Sequence, residues 1–166
     1  VSTIKKYVLS VLVENHFGVL SKVAGLFSRR GYNIHSLTVG ITEDPEISRM
    51  TIVSIGDDYM FEQINKQLNK LIEVIKVIDL TNCQAVYREL SLIKVCASPN
   101  NKLLIMQIAN TFRANIVDMD EKSMIIEITG NEDKVSSFIE LMRSYGINEI
   151  VRTGITALNR GNKLEN

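Results

Sequence analysis

Asn15, Gly18 and Asn33 are the residues whose types and spacing suggest chemistry. They lie in Glu14-Asn15-His16-Phe17-Gly18-Val19-Leu20-Ser21-Lys22-Val23 and in Arg30-Gly31-Tyr32-Asn33-Ile34-His35-Ser36-Leu37. A helix starting at about Gly18 presents unpaired N–H groups and the positive end of its dipole, which suits a carboxylate. Glycine at that point lets a ligand approach the backbone, because no side chain stands in the way. Asn15 brings a donor and an acceptor. Asn33 opens the next strand, which can run near the first strand or near a partner subunit. Together these groups suit a zwitterion: backbone N–H and Asn amides for its carboxylate, an Asn or backbone oxygen for its ammonium. Val19, Leu20, Ile34 or Leu37 would wall an aliphatic side chain. Such a wall sorts ligands by only about 1–3 kcal/mol per methylene, so valine, leucine and isoleucine are expected to overlap. The same residues also make an ordinary turn and helix cap, their commonest use, and residue types alone leave both readings open.

No catalytic group accompanies them. His16 and His35 are the two histidines, and neither has a nucleophile or an orienting partner in the sequence pattern. Neither has a Cys or His at metal spacing, so no metal site is expected. Cys83 and Cys96 are the two cysteines, expected as reduced thiols of a cytosolic protein. Glu43, Asp44 and Glu46 on one loop, and Asp57 with Asp58, read as solubilising and helix-capping acids. Phosphate-cradling glycine motifs and the hydrolase elbow are missing. Nineteen basic residues balance nineteen acidic ones, so no global field favours nucleic acid or an anionic membrane. No apolar run reaches membrane-spanning length, and no signal peptide is expected at the start.

The elements that must position Asn15 and Asn33 are legible from periodicity. Tyr7 to Val13 is a nearly continuous apolar strand. The first helix follows from about Gly18, with Leu20, Val23, Ala24 and Phe27 as its apolar stripe. Arg29 and Arg30 favour its C-terminal dipole and Gly31 stops it. Strands are expected over 33–41 and 48–55, joined by the loop 42–46. Gly56-Asp57-Asp58 starts a second helix with stripe Phe61, Ile64, Leu68 and Leu71, and Val74 to Leu80 is a fourth strand. The order βαββαβ folds as a four-stranded antiparallel sheet with both helices on one face.

The second half repeats this order. Leu90 to Cys96 reads as a strand, and Ile105, Ile108, Ala109 and Phe112 repeat the spacing of the first helix stripe. Asn115-Ile116 echoes Asn33-Ile34, Ser123 to Thr129 is a strand, and Asn131-Glu132-Asp133 caps a helix with stripe Val135, Phe138, Ile139 and Met142. Arg143 and Gly146 end it as Arg30 and Gly31 end the first helix, and 147–155 closes the unit. The expected fold is α+β, two ferredoxin-like βαββαβ units: residues 1–82, residues 83–160 and a polar tail 161–166. The repeat fails where Ser98-Pro99-Asn100-Asn101 stands against Asn15-His16-Phe17-Gly18.

Asn15-His16-Phe17-Gly18-Val19-Leu20, Leu26 to Ile34, Ser36-Leu37-Thr38-Val39, Ser48 to Ile52, Arg152-Thr153-Gly154 and Leu158 to Gly161 resemble the small regulatory subunits of acetolactate synthase (acetohydroxyacid synthase), which open with an ACT domain. The resemblance covers nearly the whole chain. It implies a non-catalytic protein that binds no cofactor itself. Its partner would be the catalytic large subunit, which carries thiamine diphosphate, magnesium and FAD. The chain would raise that subunit's activity and confer feedback inhibition by valine or a related branched-chain amino acid. The resemblance further implies homodimers through the ACT domains, with effector contacts at Asn15, Gly18, Asn33 and Ile34; Val19 and Leu20 join them as the apolar wall read from the residues. It fits a bacterial cytoplasm or a plastid stroma. The alternative is a free-standing amino-acid-sensing ACT protein with another partner. An RNA-binding module lacks its aromatic platform here, and a small ferredoxin-like enzyme lacks a nucleophile–base pair.

Overall fold

The computed structural model describes residues 3–161 and divides into two units. The first comprises the chain to Val86 together with the residues from Ile155 on; the second is Tyr87–Gly154. Each is a βαββαβ unit. The first contains β1 (Lys5–Glu14), α1 (Val19–Arg29), β2 (Ile34–Ile41), β3 (Ile47–Gly56), α2 (Asp58–Leu68) and β4 (Val74–Asp79). The second is built on β5 (Ala85–Cys96), α3 (Lys102–Thr111), β6 (Asn115–Met119), β7 (Ser123–Gly130), α4 (Glu132–Arg143) and β8 (Ile147–Arg152). The sheets run β2-β3-β1-β4 and β6-β7-β5-β8, with their neighbours antiparallel.

Alternation along the strands decides which face each helix covers. Leu9, Val11 and Val13 of β1 and Met50 and Ile52 of β3 form one buried core with Val23, Leu26 and Phe27 of α1 and Ile64 and Leu68 of α2. Ile93 and Val95, Met124, Ile126 and Ile128, Ile105 and Ala109, and Phe138 and Met142 do the same in the second unit. Asp57 caps α2 by accepting from the Met60 amide at 2.8 Å, as expected of a carboxylate there. Asn131 caps α4 from the Lys134 amide at 3.0 Å.

The two units share their irregularities at a constant spacing. Register shifts follow Ile34 and Ile116, and follow Leu12 and Lys94. Left-handed residues end α1 and α3: Gly31 at φ 68 and Arg113 at φ 54. After α1 the amides of Gly31 and Tyr32 return to Ser28 O and Phe27 O; after α3 those of Arg113 and Ala114 return to Asn110 O and Ala109 O. Each of these pairs is separated by 82 residues, a register the side-chain comparison missed by three residues along the helix. A stripe at i, i+3, i+4 and i+7 nearly reproduces itself when slid by three or four positions.

Other differences have local causes. The α1 stripe is Val19, Val23, Leu26 and Phe27, not one starting at Leu20, which is 46% exposed. The helix is rotated by one residue because Val19, not Leu20, completes the buried run. β5 begins at Ala85, five residues before the expected strand, where Arg88 and Glu89 obscure the apolar alternation. The segment from Ile155 does not belong with the second unit as the 83–160 division supposed. Its strand β9 (Thr156–Asn159) pairs with β5, Arg160 N–H donates to Gln84 O at 2.9 Å, and Thr38 Oγ1 donates to Ile155 O at 2.7 Å. Gly154, at φ 84, makes the turn that separates it from β8. Of the expected tail, residues 162–166 lie outside the described residues.

Candidate functional site

The turn between β1 and α1 is held from below by its own chain. The Asn15 amide donates to Glu46 O at 2.7 Å, and Asn15 Nδ2 donates to Pro45 O at 2.8 Å. Asn15 therefore ties the turn to the β2–β3 loop and keeps its side-chain oxygen and one N–H for other partners. Gly18 is the N-cap of α1 and is left-handed, at φ 87 and ψ −11, with no side-chain cap. A Cβ built on Gly18 would meet nothing within 4 Å. Space is open over the helix start, while the backbone conformation favours glycine. Lys22 is the residue whose amide reaches Gly18 O, at 3.1 Å, so the amides of Leu20 and Ser21 precede the regular ladder. The α1 first turn carries no acid of its own.

The electrostatics around the turn are mixed. Lys22 pairs with Glu73, and that ammonium holds the Glu73 carboxyl below the ordinary carboxylate range. His16 lies between two acceptors, Phe17 O at 3.1 Å from Nδ1 and Glu14 Oε2 at 2.9 Å from Nε2. The Phe17 carbonyl first, and then the Glu14 carboxylate, push the His16 imidazole above its ordinary value. Phe17 itself projects fully into solvent. The anchors Pro45 and Glu46, and the Lys22–Glu73 pair, carried no sequence signal. They are backbone carbonyls of a loop and two charges 51 residues apart.

Asn33 and Ile34 sit at the other end of the sheet. Ile34 pairs with Ser54, and Ser54 pairs with Tyr7. Glu14 lies seven residues further along β1, roughly 23 Å away at the usual strand rise. Asn33 lends its carbonyl to Ser54 Oγ–H at 2.8 Å and leaves its side chain exposed. One chain thus brings Asn15 with Gly18, and Asn33 with Ile34, without bringing the two pairs together. Val19 is 3% exposed and packs in the core, so it does not offer the ligand wall expected of it; Leu20 faces solvent beside it.

The first unit has the fold of an ACT domain, and residues 9–76 match the family described as AHAS small subunit-like ACT domain. Residues 88–161 match the family described as the small subunit of acetolactate synthase. A crystal structure of the acetolactate synthase small subunit from Thermotoga maritima superposes with a TM-score of 0.87 at 46% identity, over 95% of this chain and 99% of that one. The "Probable acetolactate synthase small subunit" of Archaeoglobus fulgidus is 60% identical over 158 residues, 95% of this chain and 99% of that protein. The "Acetolactate synthase small subunit" of Bacillus subtilis is 46% identical over 157 residues, 94% and 91% of the two chains. The chain belongs to the family of acetolactate synthase small subunits.

Proposed function

We propose that this protein is the regulatory subunit of an acetolactate synthase, that it raises the activity of a catalytic large subunit, and that it makes that activity sensitive to valine. The chain itself contributes no catalytic group. Thiamine diphosphate, magnesium and FAD belong to the large subunit in this reading, and the setting is a cytoplasm. The effector site is completed by two copies of the first unit. The carrying observation is the separation of Asn15 and Gly18 from Asn33 and Ile34 along one sheet, together with the position of β2 at its edge.

Geometry supports the pairing. Val39 and Ile41 on β2 are 46% and 66% exposed. Two β2 strands related by a two-fold axis run antiparallel, so the Ile34 end of one chain meets the Ile41 end of the other. The Ile41 end is also the Glu14 end, since Ile41 pairs with Ser48 and Ser48 with Val13. The turn of one chain would then face Asn33 and Ile34 of the partner subunit. Valine's carboxylate would meet the N–H groups at Gly18 and the Asn amides, and its ammonium an Asn oxygen. Leu20 and Ile34 would line its side chain.

An effector held by two chains biases how they pack, by no more than its difference in affinity for the active and inhibited arrangements. The test is a synthase assay of the large subunit with and without this chain, titrated with valine, leucine and isoleucine. Activation by the chain and inhibition dependent on it are expected. An unchanged rate and an unchanged response to valine would contradict the reading.

A further inference from the structure

A second cavity, of about 340 Å³, lies within the first unit on the face of the sheet away from α1 and α2. Thr38 and Gly40 of β2 and Arg49 and Thr51 of β3 line it, with Glu43 at the loop and Leu158 of β9 among its walls. Its volume is at the lower end of the about 300–1,000 Å³ common for small-molecule sites. It is separate from the turn at Gly18 and shares no lining residue with it.

Three observations give it a chemistry. Among the described residues, Arg49 donates one hydrogen bond, Nη1 to Ser10 Oγ at 2.7 Å, and forms no ion pair. A guanidinium has five N–H donors in a fixed fork suited to a carboxylate, and most of these remain available here. Glu43 likewise has no cationic partner among the described residues. A half-buried guanidinium with donors to spare and a solvated carboxylate at the rim match a ligand carrying both charges. Gly40 faces Arg49 across the β2–β3 ladder, and a Cβ added to it would meet nothing within 4 Å, so the space beside the guanidinium is empty. Leu158 of β9, 59% exposed, supplies apolar surface.

We propose that this cavity binds a small aliphatic α-amino acid as its zwitterion, carboxylate on Arg49 and ammonium on Glu43. It is a second amino-acid site, independent of the one shared between chains at Gly18. Its location beneath β9 makes Thr156 and Leu158 part of its wall, so binding there stiffens the attachment of Ile155 to Asn159.

The test is a titration of the ¹⁵N-labelled full chain with L-valine, read at individual amides. Saturable shifts at Thr38, Gly40 and Thr51 are expected, separate from those at Gly18 and Asn33. Glu43→Gln and Gly40→Val should each weaken the valine affinity read at Thr38 and Thr51 about tenfold or more, and Glu43→Gln should do so with the Gly18 and Asn33 titrations unchanged. Gly40→Val fills the cavity in an extended strand where a β-branched residue fits, so it should fold normally. Isovalerate, which lacks the ammonium, should bind at these amides about tenfold more weakly than valine. The proposal fails if Thr38, Gly40 and Thr51 do not shift at about 10 mM valine. It fails equally if either variant titrates like the parent there, or if isovalerate binds as tightly as valine. A loss of shifts at Gly18 and Asn33 alone would count against the shared site and leave this one standing.

Discussion

The two βαββαβ units share one scaffold and differ at one turn. Where the first unit has left-handed Gly18 at the head of α1, the second has Asn100, which is not left-handed, and the helix starts from Asn101. Asn101 Oδ1 accepts from the Ser98 amide at 2.7 Å, and the Asn101 and Lys102 amides both return to Ser98 O at 3.1 Å. Ala97, buried, stands 82 residues after Asn15. The second turn closes on itself; the first is tied at its base and open at its rim. A duplicated fold can therefore keep an open turn in one copy and a closed one in the other, and the difference lies in a few residues of loop.

A second contrast lies at the start of the central strands. Tyr7 stacks on Phe61 with ring centroids 4.3 Å apart and donates to Asp58 Oδ1 at 2.6 Å. The residue 82 further on is Glu89, 3% exposed, held by Arg152 through Nε and through Nη2 at 2.9 Å. One unit covers that position with an aromatic pair, the other with a bidentate ion pair.

Substitutions can break each contrast. Gly18→Asp puts a carboxylate where the effector's carboxylate belongs and should shift the valine concentration for half-inhibition upward by about 100-fold or more, with activation of the large subunit retained. Asn100→Asp should leave it unchanged in the same assay. Next in size, Arg152→Ala leaves the buried Glu89 carboxylate without its partner. It should cost about 2–4 kcal/mol in urea unfolding, discounted because Arg152 is partly solvated. Smaller still, Arg113→Gly relieves a left-handed non-glycine residue and should raise stability by about 0.5–1 kcal/mol, whereas Gly31→Ala should lower it by a similar amount.

The smallest effect concerns His16. Its folded pKa is raised by the Phe17 carbonyl and the Glu14 carboxylate, so its contribution to stability is present below the unfolded histidine value and is lost as pH rises through the folded one. An NMR titration of the imidazole should give a midpoint above the ordinary histidine range, moving down in Glu14→Gln. A midpoint that ignores Glu14 would show that the pair does not form in solution.

Much of this was legible in the chain. Continuous apolar strands, the Asp57 and Asn131 caps and the Gly31 stop marked both units because each signal is local. The α1 face was misjudged because Val19 and Leu20 are both apolar, and only packing chooses between them. The strand β9 was hidden because Thr156-Ala157-Leu158-Asn159 is short and follows a glycine turn. Asn15 and Gly18 were legible as a pair because only His16 and Phe17 separate them. That Asn33 stands at the far end of the sheet required the strand register, which no spacing in the sequence encodes.

The claim that one effector site is built from two chains can be tested by mixing. Asn15→Asp carries a damaged turn and Asn33→Asp a damaged strand, and each alone should abolish valine inhibition of the reconstituted synthase. Refolded together in equal amounts, about half the dimers contain one of each chain, and about a quarter of all sites are then intact. The account predicts that this mixture regains valine sensitivity which neither variant shows alone. A mixture as insensitive as its two components, with mixed dimers demonstrated by mass spectrometry, would contradict a site shared between chains.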